Sequence, residues 1–531
     1  MILSPSQEIA KTKISNFLNS YDRTNNMFIL EGSAGTGKST IITHILNLDI
    51  FSNKSVVYSA TTNKAVSVLK KYSQQPDKYS FCTIHKLLNI KRRIDTRGRE
   101  LFEVIVDDET HDTIKTKSIY QYDIIVIDES SMITCSLLSK LIKIVEKIPG
   151  KIIFLGDPAQ LPPVNEGHSL IFHTKEIPRY RLKEIMRYKG KIVDLCNSVR
   201  EIVFNQEHKI KFSDYKCETI KIYKNFDKSI SKYLKFIEAG MRPIFLVYTN
   251  RKCDLINSKI RSHIFNNTKK RFEVGELILF NNYYKSPKEK AYYTSQQMIV
   301  EDAKENEIDF SGIDINSIFT MSLKKKIKGA EGGCVLCHNS VERESLCGCR
   351  LCNGCIREWI NNNLVCPYCF IKINDNHVSI KGDERLETYI NELVKEFEAV
   401  RFKTYDLVLN NSDTVCTVHE DSEESYKNFI ENIREKLKDI KKYIDNKYKK
   451  NKLFNALMLN LWQNFYQKYI DSIADINYGY AITTHKSQGS NYKVVFVDME
   501  NIITYNTNKI ESYRCLYTAV TRTSKYLNIL M

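Results

Sequence analysis

The stretch GSAGTGKST, Gly32 to Thr40, sets three glycines, a lysine and several hydroxyls where a phosphate could be held. Glycines let consecutive backbone N–H groups curl around phosphate oxygens, and a helix N-terminus adds positive potential. Lys38 can reach the β- and γ-phosphates, and the Ser39 hydroxyl can serve a magnesium ion. A second chemical element is the pair Asp128 and Glu129 in YDIIVIDESS, suited to holding a metal through water and polarising an attacking water. A third is KIIFLGDPAQLPPV at 151–164, where Gln160 stands at a strand end and could sense the γ-phosphate.

These groups need elements to position them. MFILE, at 27–31, is an apolar run of buried-strand length, and IITHILNL after the glycine loop has a helical pattern. Strand, loop and helix in that order are the context of a P-loop (Gly32, Ser33, Ala34, Gly35, Thr36, Gly37, Lys38, Ser39 and Thr40). Each acidic or amide group ends a further apolar run, so the expected fold is α/β with parallel sheets. Together the three strand ends describe a nucleoside triphosphatase that uses Mg²⁺.

The chain has 531 residues, too many for one core, and carries a net charge of +16. That excess favours a polyanionic partner. The N-terminus MILSPSQEIAKTKISNFL is polar, not a signal peptide, and no apolar run approaches the ~18 residues of a membrane span. The expectation is a soluble intracellular protein of nucleus, cytoplasm or a viral replication compartment.

The order of motifs resembles the superfamily 1B helicases of the RecD, Dda and Pif type, over most of residues 1–262 and 470–531. Gln7 in PSQEIAK matches the adenine-reading glutamine of that family. Thr62 in SATTNKAV, and Thr83 and His85 in FCTIHKLL, match motifs that touch the nucleic-acid backbone; local capping or packing is the alternative for each. Gly156–Gln160 matches the segment coupling nucleotide state to bound strand. Arg187 in LKEIMRYKG is placed like a first arginine finger and Arg522 in YTAVTRTSKYLNIL like a second. In YAITTHKSQGSNYKVVFVD, Thr483, His485, Lys486, Gln488 and Gly489 match the strand-gripping motif.

The resemblance implies two RecA-like lobes with ATP between them, acting as a helicase on single-stranded or forked DNA rather than RNA, moving 5′ to 3′. The first lobe is expected over 1–235. Within it, 86–121 would carry a β-hairpin turning at DDETHD, in the position of a duplex-splitting pin. The second lobe is expected over 236–264 and 478–531. A small barrel over 265–329 and 373–422 and a lysine-rich helical segment over 423–477 would interrupt it. KDIKKYIDNKYKKNK in that segment can contact phosphates or form a solvated face, and Trp462 is assigned to core packing.

Eight of the 15 cysteines fall between 334 and 369: Cys334, Cys337, Cys347, Cys349, Cys352, Cys355, Cys366 and Cys369. CxxC pairs turn two thiolates onto one metal, so eight make two closed tetrahedral zinc sites with no position left for hydrolysis. Disulfides and an iron–sulfur cluster are the other uses of such thiols. The spacing resembles a RING finger over 330–372. That implies zinc pairing in a cross-brace, with Cys334, Cys337, Cys352 and Cys355 on one ion. Leu336, Trp359 and Pro367 would form a groove for a ubiquitin-conjugating enzyme. Cys349 replaces the usual histidine, and Phe370 the arginine of active ligases, which puts ligase activity in doubt more than docking. A ubiquitin ligase or docking adaptor is therefore the alternative function, and a zinc-stapled spacer the bland one.

Overall fold

A computed structural model describes residues 3–21, 26–104, 119–310, 384–447 and 458–531, apart from positions 74, 146–147, 149, 165, 189, 269, 397–399, 460, 464 and 507. Between 311 and 383 it describes the short strands 321–322, 343–344, 350–351, 371–374 and 377–380. The eight clustered cysteines, with Leu336, Trp359, Pro367 and Phe370, lie outside the described residues.

Two parallel sheets organise the chain. The first has six strands in the order Ser80–Thr83, Val56–Ala60, Ile124–Asp128, Lys151–Gly156, Met27–Gly32 and Arg179–Leu182. All neighbours run the same way. Alternate residues of one strand feed different cores: Ile125 and Ile127 pack on one face, Ile124 and Val126 on the other. Continuous apolar runs are what a sheet covered on both faces requires, and each buried Ile or Val contributes roughly 1.5–3 kcal/mol.

The second sheet orders Ala481–Thr483, Pro243–Val247, Tyr492–Asp498, Thr523–Leu530 and Ile220–Tyr223, again all parallel. Its membership corrects the expected lobe boundary. The strand Ile220–Tyr223 pairs with Thr523–Leu530, and the helix Lys191–Phe204 packs its Ile192, Leu195 and Val199 against Val495, Leu516 and Leu527. Residues from about 190 onward therefore belong to the second lobe. Among the described residues, none of that helix's buried apolar side chains joins the first sheet's two cores.

Between Ile264 and Ile476 the chain builds a five-stranded antiparallel sheet, in the order Thr414–Val418, Arg401–Leu409, Gln297–Asp309, Leu277–Phe280 and Ile476–Tyr478. The Ala474 N–H donates to the Cys416 carbonyl at 2.7 Å, so the two outer strands approach one another. The fifth strand, Ile476–Tyr478, was expected within the helical segment; its side chains Ile476 and Tyr478 join the sheet's own core. The helix Glu384–Lys395 and the helix Glu420–Lys447 follow the lysine- and glutamate-rich stretches. No described helix is long and apolar enough to cross a membrane.

The hairpin in the first lobe differs from expectation in its turn. Strands Ile90–Ile94 and Glu100–Val104 pair around Asp95–Arg99, while DDETHD lies outside the described residues. Asp95 makes the turn by accepting the backbone N–H groups of Arg97 and Arg99, both at 2.8 Å. Gly98 is left-handed, φ 77°, and a Cβ there would stand 2.5 Å from the Trp462 ring. Trp462 is 1% exposed, as its assignment to packing requires. Tyr466 donates to the Gly98 carbonyl at 3.2 Å, and Arg92 bonds Asp471 at 3.1 Å. The hairpin tip is thus braced by the second-lobe insertion.

Gly98→Ala combines a disfavoured backbone with a side-chain overlap. It should undock the tip without unfolding the lobes. Hydrogen exchange at 90–104 should rise while the sheet strands 124–128 and 151–156 stay protected. Unchanged exchange at 90–104 would show that Trp462 does not hold the tip.

Candidate nucleotide site between the lobes

Because the first sheet is parallel, its strands end on one edge. Glu31 stands opposite Gly156, and Ala60 opposite both Asp128 and Thr83. The P-loop leaves that edge after Gly32 and enters the helix Lys38–Leu46. Gly35 and Gly37 have φ of 86° and 79°, which side chains resist. A Cβ at Gly35 would also come within 2.7 Å of Arg187, so the loop and the following arginine pack in direct contact. The Lys38 amine donates to the carbonyls of Gly32 at 2.7 Å and Ser33 at 3.2 Å. Burial lowers its affinity for a proton, opposed chiefly by Asp157 and Asp128.

Ser39 donates to Asp128 Oδ2 at 2.6 Å, and the Glu129 N–H donates to Asp128 Oδ1 at 2.7 Å. Glu129 is held in the left-handed region, φ 51°, which non-glycine residues visit at a cost. Its carboxyl is pushed above the usual range by burial and then by the adjacent Asp128, against the pull of Arg522 and Lys38. The two acids expected from sequence are therefore together with the P-loop.

The other wall belongs to the second lobe. Arg522, 2% exposed, donates through Nη2 to Gln160 Oε1 at 3.2 Å and through Nε to the Thr518 carbonyl at 3.1 Å. Arg187 donates to Asn491 Oδ1 at 2.6 Å. Lys38, Asp128, Glu129, Gln160, Arg187 and Arg522 all line one cleft of about 570 Å³. Gly489 lines it too, its φ of 70° bringing backbone within reach of Ala65 on the first lobe.

Gln7 is buried beside the loop with both ends of its amide used. It accepts from the Ser4 N–H at 3.0 Å and donates to the Thr36 carbonyl at 3.1 Å. Thr62 and Thr83 cap the helices Asn63–Tyr72 and Ile84–Leu87, accepting from Ala65 N–H and Lys86 N–H at 3.2 and 3.3 Å. Both stand on the sheet edge that carries Asp128. His85 meets Phe102 of the hairpin edge-on at 6.0 Å, and burial and then Lys140 lower its affinity for a proton. His485 faces Tyr248, its proton affinity lowered by burial, and Lys486 donates to Asn281 Oδ1 at 2.8 Å. Thr483 accepts the Lys486 N–H at 3.5 Å.

Gln488 requires a correction. Expected among strand contacts, it is 5% exposed and donates to the Leu161 carbonyl across the lobe interface at 3.1 Å. A buried amide needs a partner, and this backbone carbonyl is it. Residues not anticipated are Asp157, Arg514, Tyr517 and Asn491. Tyr517 donates to Asp157 Oδ2 at 2.6 Å, and Arg514 Nη1 donates to the carbonyls of Pro158 and, at 3.1 Å, Gln160. Tyr517 and Asp157 stand inside motifs already recognised, five and three positions from Arg522 and Gln160, and that spacing was their signal. Among the described residues no group of three or more His, Cys, Asp or Glu side chains could hold a metal.

The raised carboxyl of Glu129 has a consequence for stability. Above its folded-state value the ionised group is held beside Asp128 at a cost the unfolded chain does not bear. Glu129→Gln should therefore raise the thermal midpoint at pH 8. The gain should shrink as pH falls through the raised folded-state value, where the wild-type group takes up its proton, and be lost below the ordinary carboxylate value of 4.5. A midpoint difference that does not vary with pH would refute the electrostatic account.

Comparison with known proteins agrees with this geometry. Residues 4–203 match the AAA domain family, and residues 478–530 match the UvrD-like helicase C-terminal domain. An uncharacterised protein of Acanthamoeba polyphaga mimivirus is 29% identical, with 99% of each chain covered. The RecD subunit of the RecBCD enzyme of Buchnera aphidicola (subsp. Schizaphis graminum) is 27% identical over 40% of this chain and 35% of its own. The ATP-dependent RecD2 DNA helicase of Deinococcus radiodurans is 28% identical over 31% and 20%. This chain thus spans about a third or less of these RecD relatives. Among solved structures, Bacteroides Pif1 helicase with ADP-AlF3 and ssDNA is 14% identical, covering 100% of this chain and 92% of that one, at a TM-score of 0.45, too low to bear weight. In its matched segments the chain is similar to an AAA domain and to the UvrD-like helicase C-terminal domain, and it is similar to RecD-type relatives.

Proposed function

We propose that the chain hydrolyses ATP between its two lobes and uses the cycle to move 5′ to 3′ along single-stranded or forked DNA. The observation that carries the reading is the meeting of Lys38, Asp128 and Glu129 from one lobe with Arg522 from the other in a single cleft. Lys38 takes the β- and γ-phosphates, and Gln7, next to the loop, is assigned to adenine by motif resemblance. The Ser39 hydroxyl and Asp128 carboxylate, 2.6 Å apart, are hard oxygen donors suited to Mg²⁺, which would neutralise phosphate charge. Glu129 orients the attacking water, and its raised proton affinity brings it nearer the working pH of a base. Gln160, Arg187 and Arg522 answer the charge on the transferred phosphoryl group.

Strand contact is assigned to Thr62, Thr83 and His85 on the first lobe and Thr483, His485 and Lys486 on the second. Closure around ATP brings these sets together, and release separates them. DNA is supported by the similarity to the Deinococcus RecD2 DNA helicase, direction by motif resemblance. The matched segments, 4–203 and 478–530, do not include the cysteine window, so nothing in them supports a ubiquitin ligase.

Lys38→Ala should lower ATP turnover by at least ~10²–10³ and abolish unwinding while single-strand binding survives. Wild-type turnover in that variant would refute the site. Forked substrates with a 5′ or a 3′ overhang test direction: displacement from the 3′ overhang alone would reverse it.

The cysteine spacing supports two structural zinc sites within the insertion. Elemental analysis should find two zinc ions per chain. Replacing Cys366 and Cys369 with serine should remove at least one while ATP turnover persists. Iron in place of zinc, or no metal, would overturn the reading.

A further inference from the structure

Asp157 and Arg200 form the most buried of the described ion pairs, with side chains 0% and 4% exposed. Neither is one of the phosphate-facing residues assigned above. Asp157 sits at the end of the first-lobe strand Lys151–Gly156. Its Oδ1 accepts from Arg200 Nη2 at 3.3 Å and from the Ala159 N–H at 3.1 Å. Its Oδ2 accepts the Tyr517 hydroxyl at 2.6 Å. Arg200 and Tyr517 both come from helices packed on the second sheet. A first-lobe carboxylate is therefore enclosed by second-lobe partners.

The rest of the loop is held in the same way. Thr518 accepts the Leu161 N–H at 3.2 Å, and Gln160 meets Arg522 through its side chain and Arg514 through its carbonyl. Tyr517, Thr518 and Arg522 lie within six residues of one another on the second lobe. Asp157 and Gln160 lie three apart on the first. Two short segments are thus registered against each other at both ends.

We propose that Asp157 and Tyr517 are positioning residues for ATP hydrolysis. They fix the register of the loop on the second lobe, so that the Gln160 amide and the Arg522 guanidinium approach the phosphate site as one unit. The inference rests on the ATPase reading of the cleft. A carboxylate suits the task because three donors from different elements converge on it with directional bonds. Leaving a buried charge short of a partner would let the loop shift. A shift of about 1 Å at the reacting geometry is enough to cost ~10² in rate.

The test uses the full chain. Tyr517→Phe keeps the ring in its core and removes one hydroxyl, and Asp157→Asn keeps the shape and removes the charge. Each should lower kcat for DNA-stimulated ATP hydrolysis by ten-fold or more, up to the ~10² above, with KM for ATP within about two-fold of wild type. The double variant should fall no further than the worse single, because both act on one link. Thr518→Val, which removes the loop's other hydroxyl partner, is the second probe if the Asp157 variant does not fold, and should lower kcat in the same way.

Unchanged kcat in folded Tyr517→Phe, losses that multiply in the double variant, or losses confined to KM would each overturn the proposal. A wild-type chain that does not hydrolyse ATP would instead overturn the reading beneath it.

Discussion

Strands that run parallel must end on a common edge, and this constraint decides where chemistry can stand in the first lobe. Gly32, Ala60, Thr83, Asp128 and Gly156 all end their strands at that edge, with Ala60 opposite both Asp128 and Thr83 and Glu31 opposite Gly156. The sheet's two cores are apolar, and burying a polar group there without a partner costs free energy. Polar residues are displaced to the ends, where the backbone turns and helix N-termini point outward. The P-loop, the acidic pair and the threonine caps therefore share an edge for a topological reason. A phosphate bound at the loop would lie a few side chains from any strand held at Thr62 and Thr83.

The second lobe completes that edge rather than repeating it. Its own parallel sheet presents Thr483 at one strand end and, beyond the helix Lys509–Val520, the buried Arg522. Side chains so deeply buried are satisfied only while the first-lobe loop lies against them. Gln160, Leu161 and Asp157 supply acceptors and a donor, and Arg522, Gln488, Tyr517 and Thr518 use them. By contrast the link from Arg187 to Asn491 is exposed.

Motifs whose chemistry is local were legible in the sequence. The P-loop needs its glycines within a few residues, and DES needs only a strand before it. What could not be read was anything set by distant partners. The helix Lys191–Phe204 has an ordinary amphipathic pattern, and only packing reveals that its face belongs to the second sheet. The described hairpin strands turn at Asp–Thr–Arg–Gly–Arg, while the acidic run expected to make the turn lies outside the described residues. Asp95 satisfies two N–H groups there, and Gly98 accepts the left-handed backbone. Gln488 sat in a motif of strand contacts, and nothing in its neighbours indicated that its amide would face a carbonyl 327 positions away.

How can a lobe be interrupted by some two hundred residues and still fold? Entropy alone is a weak obstacle, since closing a loop costs only about 0.6 kcal/mol more for each doubling of length. The harder condition is that the chain leave and return at nearly the same place. It leaves after the helix Asn250–Ile264 and first forms the strand Leu277–Phe280. It returns through Ile476–Tyr478, which pairs with that same strand, Ile278 opposite Tyr478. Gly479 follows immediately, and a Cβ there would press within 3.2 Å of the Ile278 carbonyl. Entry and exit are thus fastened to each other before the chain rejoins the parallel sheet at Ala481–Thr483. Arg261 and Glu276, paired at 2.9 Å with the carboxylate fully buried, anchor the same junction from the lobe side. Whatever the insertion carries at its far end, the parallel sheet experiences it as a short, closed stem.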